Sequence, residues 1–70
     1  MSKQLVTQEQ FEQLQIMENE KAIDFSTPEG RNIMFHARLS GYLWIASKTL
    51  NDMDFKEYMN AIKNGYEVIQ

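Results

Sequence analysis

Seventy residues with no cysteine, one histidine and a formal net charge of −3 describe one small domain spanning residues 1–70. They exclude a disulfide framework and a thiolate metal site, and a single imidazole is too few for a structural zinc. No apolar run is long enough for a membrane span and MSKQLVTQ has no signal-peptide core, so a soluble cytoplasmic protein without a cofactor is expected.

The charge sign disfavours a binder of duplex DNA or RNA held by phosphate contacts. The charges are also sorted along the chain: residues 1–26 and 51–70 are acidic, whereas residues 27–50 hold Arg31, Arg38 and Lys48 against Glu29 alone. A core this small nearly cancels the ordering entropy of its own chain. A protein partner, either a host protein or a second copy in a homodimer, is the natural source of further stability.

In chain order, residues 1–6 are expected to be loose until Val6. Thr7-Gln8-Glu9-Gln10 then has the form of a capping box, with Val6 and Phe11 at the staple positions, so a helix starts at Gln8. Phe11, Leu14 and Met17 give it a thin apolar stripe. Glu18-Asn19-Glu20 closes it.

Residues 21–48 are read as three antiparallel strands. Thr27-Pro28-Glu29-Gly30-Arg31 has the chemistry of a three-residue hairpin loop, and Ser40-Gly41 that of a two-residue turn. Both turns place Ile23, Phe25, Ile33, Phe35, Ala37, Leu39, Tyr42, Trp44 and Ala46 on one face. Asp24, Met34, His36, Arg38, Leu43, Ile45 and Ser47 fall on the other, and a slip of one residue would invert the two. The competing reading is one helix from Pro28 to Leu50, capped by Thr27, with Phe35, Leu39, Tyr42, Ala46 and Leu50 as its stripe and Ile33, Met34, Ala37, Gly41, Trp44 and Ile45 as a surplus face.

After the meander, Asn51 is a helix cap, with Asp52 and Asp54 in the favourable first turn. Phe55, Tyr58, Met59 and Ile62 share one helical face, and Lys63 precedes an Asn64-Gly65 stop. Residues 66–70 are a short edge strand or a packed tail. The expected fold is therefore α+β, a three-stranded antiparallel sheet packed on two helices, with an all-α three-helix bundle as the alternative.

Among chemically interesting groups, His36 has no nucleophile motif beside it, although the sheet register sets it diagonal to Asp24. It reads as a solvated histidine, and no enzyme activity is expected. Asp52, Asp54 and Glu57 suit a helix dipole better than a metal. The apolar centre of Met34, Leu43 and Ile45, edged by His36 and Arg38, reads as an interaction surface with acidic support from Glu9, Glu12, Asp52 and Glu57. A second reading is a nucleic-acid binder using Arg31, Arg38, Lys48 and Trp44.

The order helix, three strands, helix resembles the double-stranded-RNA-binding domain, a family that holds phosphates with a basic start to its last helix. Here that start is Asn51-Asp52-Met53-Asp54, which repels phosphates. The run GYLWIASKTLNDMDFKEYMNAIKNGY, residues 41–66, resembles the hairpin-then-helix portion of a phage-encoded anti-CRISPR inhibitor of the type II-A effector nuclease. The shared features are an aromatic strand, a polar exit containing Ser47, an amphipathic helix and the closing Lys63-Asn64-Gly65-Tyr66. The resemblance implies a small phage or mobile-element protein that binds and inhibits a host enzyme, without implying the target or the contact residues.

Overall fold

The structure, a computed structural model, describes residues 3–69. Five helices lie between two short strands: β1 (Gln4–Val6), α1 (Gln8–Asn19), α2 (Pro28–Leu39), α3 (Tyr42–Ala46), α4 (Lys48–Asn51), α5 (Phe55–Asn64) and β2 (Tyr66–Val68). The strands pair in parallel, with Gln4 opposite Tyr66, Leu5 opposite Glu67 and Val6 opposite Val68. The ribbon joins the two ends of the described chain. Gln4 N–H donates to the Gly65 carbonyl at 2.9 Å and Ile69 N–H to the Val6 carbonyl at 2.8 Å. A strand thus begins at Gln4 where a loose segment is expected; Met1, Ser2 and Gln70 lie outside the described residues.

The three-stranded antiparallel sheet expected for residues 21–48 is not formed. Thr27 and Pro28 start a helix instead of a hairpin. Thr27 Oγ1 accepts from Gly30 N–H at 3.1 Å, and Pro28 stands in the first turn, where its missing N–H leaves no gap in the hydrogen bonding. Gly30 is a close-approach residue: a Cβ there would lie 1.8 Å from the Asp24 carbonyl oxygen. The bundle alternative holds in part. The long helix is broken at Gly41, whose φ of +83° ends α2 and restarts the chain as α3. Ser47 then caps α4, accepting from Leu50 N–H at 3.4 Å and donating to Gln13 Oε1 at 2.9 Å.

The outer helices follow the sequence closely. In α1 the capping box is complete: Thr7 Oγ1 accepts from Gln10 N–H at 3.1 Å and Gln10 Oε1 accepts from Thr7 N–H at 2.9 Å. In α5 the cap is Asp54 rather than Asn51, with its carboxylate accepting from Lys56 N–H at 3.1 Å. Asn51 instead ends α4.

The core is built from Val6, Leu14, Met17, Phe25, Met34, Leu43, Leu50, Met53, Tyr58, Ala61 and Ile62. Three of them are methionines, Met17, Met34 and Met53, whose unbranched side chains adapt to irregular core space. Tyr58 crosses this core and donates its hydroxyl to the Met34 carbonyl at 2.7 Å, tying α5 to α2. Among the described residues, no helix is long and apolar enough to cross a membrane.

Candidate protein-binding surface

The break at Gly41 creates an apolar surface. A five-residue helix has one turn and a half, so α3 inserts a single side chain, Leu43, into the core. Its neighbours must point away. Leu39 at the end of α2 is 62% exposed, Tyr42 48%, Trp44 63% and Ile45 93%. Four large, largely apolar side chains are thus left in water within seven residues of chain. The Lys48 ammonium lies 6.0 Å from the centre of the Trp44 ring, so the patch carries a cation at one margin.

Tyr42 also borders a cleft of about 370 Å³. Its lining includes the buried Met17 and Met34, the half-buried Ala37, and the exposed Lys21, Ile33, His36 and Tyr42. Such a cavity takes one or two apolar side chains from a partner, and a lining of this kind leaves a place for a polar contact.

The expected interaction residues do not gather on one face. Ile45 is fully presented, and His36 is exposed at the cleft, its ring edge-on to Phe35 at 5.6 Å. Met34 and Leu43, expected outside, are both fully buried, because a helix places them on its core side where a strand would place them on its outer side. Arg38, expected at the rim, is structural. Its guanidinium donates to the Met53 carbonyl at 2.6 Å and the Leu50 carbonyl at 3.4 Å, and it stacks on Tyr58 at 5.3 Å and Phe55 at 5.7 Å.

The acidic set is dispersed as well. Glu9 accepts from Thr49 Oγ1 at 3.0 Å, linking α1 to α4, and Glu12 accepts from Gln8 Nε2 at 3.0 Å. Asp52 caps the end of α4, and Glu57 sits in the first turn of α5. Four contributors were absent from the expected protein-docking set: Ile33, Leu39, Tyr42 and Trp44. In the sheet register all four faced inward. The helical alternative placed Ile33 and Trp44 on the surplus side but Leu39 and Tyr42 in the stripe.

Among the described residues, His36 makes no hydrogen bond with Asp24. Asp24, its diagonal neighbour in the expected sheet, accepts from Ser26 N–H at 2.9 Å and Ser26 Oγ at 2.6 Å, and these bonds hold its carboxyl below the usual range. Two phenols are shifted the other way. Burial pushes the Tyr58 hydroxyl well above its ordinary value, against the opposing charge of Arg38. Tyr66 is raised by burial first, and then by donating to the Glu18 carboxylate, whose charge repels a phenolate. Among the described residues, no group of three or more His, Cys, Asp or Glu side chains is arranged to hold a metal ion.

No protein family, no curated protein and no solved structure matches the chain. The hairpin that formed part of the likeness to the type II-A inhibitor is absent, since Tyr42–Ala46 is helical.

Proposed function

We propose that this chain is a non-enzymatic protein-binding module that docks through Leu39, Tyr42, Trp44 and Ile45 and receives an apolar side chain of its partner in the adjoining cleft. The observation that carries this reading is the near-complete exposure of Ile45 beside three other large apolar side chains. Leaving such a run in water forfeits stabilisation of about 25 cal/mol for each Å² of apolar surface. A domain of this size has little stability to forgo, so a covering surface is the economical explanation. The partner class that the sequence suggests is a host enzyme, inhibited by occlusion of its working surface. The exposed carboxylates of Glu9 and Glu12 on α1 offer charge complementarity to an enzyme that handles nucleic acid.

The test is site-specific photo-crosslinking from position 45 in extract of the native host, read by mass spectrometry. One dominant adduct is expected, lost when Leu39→Asp is introduced and unchanged by Lys63→Ala on α5, which lines neither the patch nor the cleft. An adduct of twice the chain mass identifies the partner as a second copy. Absence of any adduct, or adducts that survive Leu39→Asp, overturns the reading. Leu43→Asp is not a suitable probe, because Leu43 is a core residue and its replacement tests folding.

A further inference from the structure

A second groove, of about 600 Å³, runs between α2 and α5 on a surface that the docking proposal does not use. Three of the chain's seven cationic side chains line it, namely Lys56, Lys63 and Arg31, whose Nη1 also donates to the Phe25 carbonyl at 3.2 Å, and no carboxylate does. In a chain of net charge −3 this is a local inversion of sign. The acidic neighbours in sequence, Glu29, Asp54 and Glu57, do not line the groove, and the Asp54 carboxylate accepts from the backbone N–H groups of Lys56 and Glu57. Lys56, Asn60 and Lys63 recur at i, i+4 and i+7, so the two lysines stem from one side of α5 with backbone positions about 10 Å apart along its axis.

The floor between these cations is aromatic. Phe35 and Phe55 meet edge to face at 5.9 Å and 61°. Phe55 is 39% exposed, yet it is not free to move. Arg38 packs against its ring and is itself held by the Leu50 and Met53 carbonyls. A fixed, partly open ring flanked by cations is the arrangement that binds single-stranded nucleic acid, with bases stacked on the ring and phosphates on the ammonium groups. An acidic peptide would use the cations but gain little from the ring, whose electron-rich face repels carboxylates.

We infer that the α2–α5 groove binds a nucleoside phosphate, taken from single-stranded nucleic acid, with Phe55 as the stacking platform and Arg31, Lys56 and Lys63 as the phosphate contacts. The inference does not rest on the docking surface. Leu39→Asp, which abolishes the proposed crosslink, leaves this binding intact.

Fluorescence anisotropy with a labelled ten-nucleotide oligothymidylate, at salt concentrations from about 20 to 200 mM, tests it. Three phosphate contacts give a log–log salt slope of about −2 on a single strand. Lys56→Glu with Lys63→Glu weakens binding at least tenfold. Phe55→Leu, which keeps the apolar contact but removes the ring, weakens it fivefold or more. Circular dichroism and a melting curve on each variant confirm that the fold is kept. Thymidine monophosphate as competitor separates a free-nucleotide site from a strand site. No binding at 20 mM salt, indifference to the double charge reversal in a folded variant, or equal competition by an oligoglutamate peptide overturns the assignment.

Discussion

Gly30→Ala separates the geometry of this fold from the helix propensity of its sequence. Gly30 lies in the first turn of a helix, where propensity alone favours alanine by about 1 kcal/mol. The structure reverses the sign. A Cβ on residue 30 would stand 1.8 Å from the Asp24 carbonyl oxygen and 2.5 Å from its carbon, both backbone atoms that no rotamer change can remove. The Asp24 segment must move outward by more than an ångström. That carbonyl accepts from Thr27 N–H at 3.3 Å and from Thr27 Oγ1 at 3.0 Å, and Thr27 is also the cap of α2, so the displacement reaches the start of the helix. Overpacking costs about 1–3 kcal/mol and each weakened hydrogen bond about 1 kcal/mol, so the net loss is about 2–4 kcal/mol after the propensity gain. In a domain of this size that corresponds to a melting temperature lower by at least about 10 °C. Chemical and thermal denaturation followed by circular dichroism measures it. Gly41→Ala is the internal comparison. Its φ of +83° carries a strain of about 1–2 kcal/mol for alanine, but its Cβ meets nothing within 4 Å, so it should be the milder of the two. A Gly30→Ala protein as stable as the parent would refute the close approach of Asp24 to α2.

Two further outcomes follow from the polar contacts. Arg38→Met removes the charged donor from the Leu50 and Met53 carbonyls and should cost about 2–3 kcal/mol in urea denaturation; unchanged stability would return Arg38 to the free surface. Stability should also fall as the pH rises past about 10, the ordinary phenol value, because Tyr58 and Tyr66 keep their protons more tightly when folded than when unfolded. Their contribution is complete below that pH and is lost above it. Tyr66→Phe should flatten the alkaline limb of a stability-against-pH curve, and an unaltered limb would remove Tyr66 from the account.

The parts of the fold that were legible in the sequence are those whose signals are local. The capping box at Thr7–Gln10 rests on side chains within four residues of one another and forms as expected; α5 also stops at Gly65, but with φ +94° and an extended ψ of 170° in place of the expected left-handed helical conformation. The apolar spacing of α5 also holds at Tyr58 and Ile62, although its cap moved from Asn51 to Asp54 because residues 48–51 make a turn of helix of their own. The parallel pairing of β1 with β2 has no local signal. It joins residues at opposite ends of the chain, and three-residue strands are too short to show alternation. Thr27-Pro28-Glu29-Gly30 is ambiguous in a different way. Pro28 fixes a φ common to turns and to first helical positions, and Gly30 is needed in both settings, in one for a positive φ and in the other for the nearness of Asp24.

The misplaced binding face has the same origin. A side chain's direction is set by the phase of its element, and the sheet and the long helix assign different phases to residues 33–46. The helical reading propagates one phase across Gly41, and the sheet reading sets the second phase from a two-residue turn that does not form there. The left-handed φ of that residue rotates the chain, so the phase of α2 carries no information about α3. Within α3 the sequence shows Tyr-Leu-Trp-Ile-Ala, four large apolar residues in a helix that can bury one. Periodicity cannot choose among them, because five residues do not complete two turns. Leu43 is chosen by the space left between α2 and α4, a property of the assembled core. Ile45 was assigned to the surface by both readings, and the structure leaves it the most exposed large apolar residue of the described chain. Its exposure is thus required by the packing of Leu43 on a single short turn, which is why a partner is sought there and not at Met34.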